Sequence, residues 1–228
     1  MSGTPAPRRL YSDLSAVEGF IPFPDRIRKM AAAHPDLEVL KADGQVRTWA
    51  ELMPRINRVS NMLADRGFER GDTIAVLAKS SLEYMEVFLG TLQAGLCIVP
   101  LSGMASSVQL QGMIKDCGAK MIFASSGPLP LLEPFIDDMP GFGPENRIAF
   151  DFEADGWTGY EELLQTASDA EHIADIRPED PFNLIYSSGT TGVPKGIEQS
   201  HSMRAQHTFR FENLGVGPGA VTLSSTAL

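Results

Sequence analysis

The residues best suited to chemistry in this sequence lie together in one ten-residue segment, 187–196, with the sequence SSGTTGVPKG. The segment contains three glycines, four hydroxyl side chains and one lysine, Lys195. Glycine allows positive φ angles, and successive backbone amides in such a turn can form a concave nest for an anion. The hydroxyl groups add hydrogen-bond donors, and the ammonium of Lys195 adds a positive charge. Together these groups are suited to binding a polyphosphate.

The spacing of this segment differs from that of two common nucleotide-binding turns. A P-loop, Gly-x4-Gly-Lys-Ser/Thr, would need glycine where Pro194 stands and a hydroxyl residue where Gly196 stands. The segment also lacks the Gly-x-Gly-x-x-Gly pattern of a dinucleotide-binding turn. It lies between two strand-like runs, so the residues alone fit an anion-binding loop and a flexible hairpin tip equally well.

A family resemblance favours the anion-binding loop. Residues 185–196 (IYSSGTTGVPKG) resemble the signature of the AMP-forming adenylating enzymes. That family includes acyl- and aryl-CoA synthetases, the adenylation domains of nonribosomal peptide synthetases, and luciferases. Three upstream segments also resemble the family: 47–52 (RTWAEL), 71–76 (GDTIAV) and 93–100 (QAGLCIVP). The resemblance covers about residues 24–228.

The resemblance implies a two-step ligase. A carboxylic acid attacks the α-phosphate of ATP to give an acyl-adenylate and pyrophosphate, and a thiol, usually coenzyme A, then accepts the acyl group. In the family the matching loop clamps the β- and γ-phosphates. By position, the residues that correspond to this clamp are Ser187, Ser188, Gly189, Thr190, Thr191, Gly192 and Lys195.

The family's later motifs have no counterpart in these 228 residues. The glutamate that holds Mg²⁺, the aspartate that binds the ribose and the adenylate-forming lysine are all expected beyond residue 228, so we assign no catalytic residue and no metal ligand here. We therefore expect an N-terminal portion of an acyl-CoA synthetase that does not turn over alone and binds ATP weakly at most. The alternatives are an adenylation domain of a peptide synthetase and a non-catalytic binding protein that kept the fold.

The remaining sequence predicts an α/β protein, with a parallel sheet flanked by helices in βαβ units. Short apolar runs typical of buried parallel strands alternate with amphipathic helices whose starts carry capping residues. Thr48 and Glu51 fit a capping box, and Asp43-Gly44 fits a hairpin turn. The predicted helices are 24–34, 48–66, 81–94, 107–117, 129–138, 160–165 and 202–214. The predicted strands are 38–40, 45–47, 73–78, 96–99, 120–124, 147–150, 182–186 and 221–225. We predict a lead-in over 1–23, a first α/β subdomain over 24–178 and the start of a second α/β lobe over 179–228.

Charge and composition exclude several classes of protein. The net charge of the 228 residues is −10, and residues 126–180 alone carry −12. This acidity argues against nucleic acid as a partner and indicates a solvated outer surface over 126–180. Two cysteines make neither a disulfide framework nor a zinc site, and no apolar run is long enough for a membrane span. We expect a cytoplasmic protein whose partners are a carboxylic acid, ATP and CoA. A homodimer is a possible assembly.

Overall fold

The computed structural model describes residues 20–187, 194–212 and 221–223. In chain order the helices are α1 (Phe23–Ala33), α2 (Trp49–Asp65), α3 (Leu82–Gln93), α4 (Ser107–Cys117), α5 (Tyr160–Thr166) and α6 (His201–Glu212). The strands are β1 (Glu38–Ala42), β2 (Gln45–Thr48), β3 (Thr73–Leu77), β4 (Cys97–Pro100), β5 (Met121–Ala124), β6 (Arg147–Ala149), β7 (Thr158–Gly159), β8 (Pro181–Ser187) and β9 (Lys195–Ser200).

Seven of these strands form one sheet in the order β7-β6-β5-β3-β4-β8-β9. Every neighbouring pair is parallel except β8 and β9, which form an antiparallel hairpin at one edge. Helices cover both faces, because Ile74 and Val76 of β3 pack with α2, α3 and α5, whereas Ala75 and Leu77 pack with α4. The predicted α/β class, a parallel sheet flanked by helices, is confirmed.

Local signals for the starts of helices and for the first hairpin turn are also confirmed. Thr48 caps α2 in a capping box with Glu51, and Ser106 caps α4 in a second box with Gln109. Between β1 and β2, Asp43 and Gly44 both have positive φ angles, of 48° and 77°. These are the angles of the tight hairpin turn that an Asp-Gly pair favours.

Two predicted elements are wrong. Residues 129–138 form two short 3₁₀ turns, Leu129–Leu131 and Ile136–Asp138, instead of one helix. Pro134 lies between them; it has no N–H to donate and disfavours a helical conformation at the residue before it. Of the strand predicted over 221–225, residues 221–223 have no strand assignment, and 224–225 lie outside the described residues.

The sheet continues past residue 178, where we predict a boundary between two lobes. Strand β8 pairs with β4 through Asn183 and Ile98. The division into 24–178 and 179–228 stays a prediction, and a boundary at that place would cross a continuous sheet. In the part of the chain that the structure describes, no helix combines the length and apolar character needed to span a bilayer.

Candidate functional site

The segment singled out by the sequence lies at the tip of the β8–β9 hairpin. Ser187 is the last residue of β8 and Lys195 the first of β9, and the two pair directly across the hairpin. Both side chains are exposed. The remaining predicted phosphate-binding residues, Ser188, Gly189, Thr190, Thr191 and Gly192, lie outside the described residues, so the structure places only the two ends of the segment.

The hairpin tip lies at the carboxyl edge of the parallel strands. Strand β8 runs parallel to β4, and β4 runs parallel to β3 and β5 through the sheet. Ser187, the last residue of β8, therefore lies toward the same edge of the sheet at which β3, β4 and β5 end. Strand β3 is followed in the chain by β4 on one side of it, whereas β5 is followed by β6 on the other side, so the strand order reverses between β3 and β5, two strands from β8. Ligands of open α/β sheets bind at the carboxyl ends of the strands near such a reversal.

Immediately below the tip, Tyr186 pairs with Gly196 across the hairpin. The Tyr186 hydroxyl lies 2.7 Å from Oδ2 of Asp116 and 3.0 Å from the carbonyl oxygen of Met113, both in the last turns of α4. Burial and the hydrogen bond to Asp116 raise the pKa of Tyr186, so the hydroxyl is a protonated donor at neutral pH. The family signature contains this tyrosine, but nothing in the sequence links it to Asp116.

At the opposite end of the hairpin, His201 follows β9 as the first residue of α6. Its ring lies edge-on to Phe182, with the ring centroids 5.0 Å apart, and its backbone N–H donates to the carbonyl oxygen of Asp180 at 2.9 Å. Burial lowers the pKa of His201 to about 4, so the ring is neutral at pH 7. It is separated from the tip by the six residues of β9, about 20 Å of extended chain. His201 is therefore a packing residue and not part of the tip.

The chemistry available at the tip is the binding of an anion. Ser187 offers a hydroxyl donor, and Lys195 offers an ammonium group that forms no salt bridge with another of the described residues. Across residues 20–187, 194–212 and 221–223, no three His, Cys, Asp or Glu side chains are grouped closely enough to bind a metal ion. Both cysteines, Cys97 and Cys117, are free thiols, and burial raises the pKa of each, that of Cys97 to about 12. Neither thiol is therefore a nucleophile at neutral pH.

Solved structures share this fold over most of the chain. The anthranilate CoA ligase AuaEII, in complex with anthranoyl-AMP, superposes with a TM-score of 0.76 at 22% identity, over 84% of this chain and 37% of that one. ATP-bound MatB from Rhodopseudomonas palustris superposes with a TM-score of 0.68 at 25% identity, over 83% of this chain and 37% of that one.

Curated relatives match most of this chain but are much longer. It is 27% identical to the fatty acid–[acyl-carrier-protein] ligase ScoC of Streptomyces coeruleorubidus, over 75% of this chain and 31% of ScoC. It is 30% identical to surfactin synthase subunit 1 of Bacillus subtilis (strain 168), over 75% of this chain and 4% of that protein. The chain thus spans about a third of ScoC and a small part of the surfactin synthase subunit.

The family profile described as AMP-binding enzyme matches residues 27–227, nearly the whole chain. That range contains the sheet, the helices on both of its faces and the β8–β9 hairpin. The chain belongs to the AMP-binding enzyme family.

Proposed function

We propose that this chain contributes the phosphate-binding hairpin of an enzyme that activates a carboxylic acid with ATP, forming an acyl-adenylate and pyrophosphate. The observation that supports this proposal is the position of segment 187–196. Its two described ends, Ser187 and Lys195, lie side by side at the carboxyl edge of the sheet. The proposed ligands of the β- and γ-phosphates are Ser187, Ser188, Gly189, Thr190, Thr191, Gly192 and Lys195.

The donor set fits a phosphate chain better than it fits a metal ion. A hydroxyl and an ammonium group donate hydrogen bonds to phosphate oxygens and oppose the charge that moves onto the leaving pyrophosphate. The described residues contain no group of acidic side chains suited to Mg²⁺. We therefore assign the magnesium ligand and the adenylate-forming lysine to other parts of a longer enzyme and derive no step through them.

The acceptor of the acyl group separates three forms of the proposal. Transfer to coenzyme A, as in an acyl-CoA synthetase, is the form that we favour. Similarity to surfactin synthase subunit 1, at 30% identity, supports the second form, an adenylation domain of a peptide synthetase. Similarity to ScoC adds an acyl-carrier protein as a third possible acceptor. The cytoplasm and a homodimer stay predictions in each case.

The proposal is tested by titrating this chain with tripolyphosphate and with ATP in an isothermal calorimeter. Lys195→Ala should weaken binding of tripolyphosphate by about tenfold to a hundredfold, because a charge-assisted hydrogen bond contributes roughly 1.5–3 kcal/mol. Lys41→Ala removes the same charge from an exposed residue of β1 and is the matched control. We expect it to bind tripolyphosphate like the unsubstituted chain.

Two results would contradict the proposal: no binding of tripolyphosphate at all, or an equal loss in both lysine variants, which would indicate non-specific attraction. ATP should bind weakly, and exchange of labelled pyrophosphate into ATP should be absent without the rest of the enzyme. Tight, magnesium-dependent binding of ATP would instead show that 228 residues suffice for the nucleotide site.

A further inference from the structure

The β8–β9 hairpin extends beyond the strand that supports it. Strand β8 pairs with β4 at a single described position, Asn183 with Ile98, and β4 ends at Pro100. Proline has no N–H to donate to a neighbouring strand. The half of the hairpin nearest the tip comprises 184–187 of β8 and the described residues up to 198 of β9. This half is therefore held by its own cross-strand pairing and by side-chain contacts.

Tyr186 supplies a contact between this half of the hairpin and the body of the protein. Its hydroxyl reaches Asp116 at 2.7 Å and the carbonyl oxygen of Met113 at 3.0 Å. A hydroxyl has one proton, and a carboxylate is the stronger acceptor, so Asp116 is the principal partner. Helix α4 is itself fixed to the sheet, because Leu110 and Ile114 are buried in the core between them.

Gly196 lets the Tyr186 ring lie directly against the opposite strand. A Cβ atom at residue 196 would be 3.0 Å from Cδ2 of Leu184 and 3.3 Å from Cε1 of Tyr186, closer than ordinary contact. The ring therefore covers the backbone of β9 at the residue after Lys195. Since Tyr186 also precedes Ser187 in the chain, one side chain contacts both arms of the hairpin beside the two tip residues.

We propose that Tyr186 is a positioning residue for phosphate binding: anchored by Asp116 on α4 and packed on Gly196, it holds Ser187 and Lys195 at a fixed place over the carboxyl edge of the sheet. This inference rests on the proposed function, since it assigns to Tyr186 the placement of two proposed phosphate ligands. Tyr186 itself touches no phosphate. Its hydroxyl is engaged by α4, and it acts through the residues on either side of it.

The test measures amide hydrogen exchange without ligand and then the affinity for tripolyphosphate. Tyr186→Phe keeps the ring but loses the hydroxyl, and exchange at Ser187 and Lys195 should accelerate about tenfold while exchange in β3 and β5 stays unchanged. Asp116→Ala should give a smaller effect in the same direction, because Met113 still offers its carbonyl oxygen. Asp116→Asn keeps an acceptor oxygen and should behave nearly like the unsubstituted chain.

Tyr160→Phe is the matched control, because it removes the same group from a buried tyrosine whose hydroxyl bonds Glu86 at 2.9 Å on α3. It should lower the melting temperature without a selective change at Ser187 and Lys195. The affinity for tripolyphosphate should fall about tenfold in Tyr186→Phe and stay near normal in Asp116→Asn.

The inference is overturned if Tyr186→Phe leaves exchange at Ser187 and Lys195 unchanged, or accelerates it equally throughout the sheet. It is also overturned if exchange changes selectively but tripolyphosphate binds as before. If the unsubstituted chain binds no tripolyphosphate, the proposed function fails, and the exchange pattern still decides whether Tyr186 and Asp116 fix the hairpin tip.

Discussion

His201 is buried without a hydrogen-bond partner for its ring. It is 1% exposed, and neither Nδ1 nor Nε2 has a partner among the described residues. Phe182 covers one side of the ring, Arg204 lies over the same Phe182 ring, and the carboxylate of Asp180 is the nearby charge that favours protonation. Burial outweighs that carboxylate, so the pKa of His201 falls from its ordinary 6.5 to about 4.

The folded state therefore resists protonation of this histidine, and its stability should depend on pH. The stability that the neutral His201 ring gives to the folded state is fully present above pH 6.5. It is lost as the pH falls from about 6.5 toward 4, which lowers the free energy of unfolding by about 3 kcal/mol at most. His201→Phe should flatten the pH dependence of the free energy of unfolding between these values, measured by urea denaturation at pH 7 and pH 4.5. The same substitution at exposed His34 should leave the pH dependence intact; equal slopes in all three proteins would contradict the prediction.

At the scale of elements, the sequence predicts those parts of the fold whose signals lie within a few residues of each other. The predicted capping box of Thr48 with Glu51 needs only residues three apart, and it forms. The run 129–138 shows the limit, because its apolar residues suggest a helix while Pro134 divides it. The spacing of apolar residues alone does not show whether a single proline will interrupt the helix that the spacing predicts.

The candidate site shows the same division between local and distant signals. The ten residues of the segment identify the family, and the structure places Ser187 and Lys195 together. The anchor of the hairpin could not be predicted, because Asp116 lies 70 residues before Tyr186 in the chain. Their contact depends on how α4 packs beside β8, which a single sequence does not reveal.

Helix α2 binds the acidic segment after α5 mainly through backbone carbonyl groups. Nη1 of Arg58 donates to the carbonyl oxygens of Leu164 and Ala167 at 3.1 and 2.9 Å, and Nη2 lies 3.1 Å from Oδ2 of Asp169. Asn61 on the same helix donates to the carbonyl oxygens of Ser168 and Ala170. These bonds satisfy backbone acceptors in the last turn of the short helix α5 and in the segment that follows it.

Arg58→Ala should therefore loosen this segment locally. We expect a loss of about 1–2 kcal/mol in the free energy of unfolding and several-fold faster cleavage after Glu171 by a glutamate-specific protease. Arg70→Ala is the control, because Arg70 is 40% exposed at its side chain and its ion pairs are 3.9 Å long. Such pairs contribute little, so cleavage after Glu171 should not change. Equal protection of Glu171 in both variants would show that Arg58 does not hold the segment.

Over the whole molecule, exposed acidic side chains of residues 126–180 form ion pairs with arginines from earlier in the chain. The carboxylates of Glu161, Asp169 and Glu171 are more than half exposed, as the sequence predicts for residues 126–180. Each also pairs with an arginine from α1 or α2: Arg55, Arg58 and Arg28 respectively. The acidic stretch thereby lies against the more basic first third of the chain.

The face of the hairpin turned away from α4 is apolar and open. Ile185 and Ile197 pair across the strands and are 38% and 49% exposed, and β9 is the edge strand of the sheet. An exposed apolar edge favours association with another chain or another part of the same protein. We propose that in a longer enzyme further residues cover this face, consistent with relatives about three times the length of the match.

Replacing both residues by threonine should therefore reduce self-association of this chain without unfolding it. Threonine keeps the β-branched shape that a strand favours, so the melting temperature should change by no more than about 2 °C. The weight-average sedimentation coefficient should rise less steeply with concentration in the double variant than in the unsubstituted chain. Met104 and Val108, 95% and 79% exposed, are not on the hairpin strands and provide the control when both become threonine. If the two double variants reduce association equally, the hairpin face has no special role, because general surface hydrophobicity would then explain the effect.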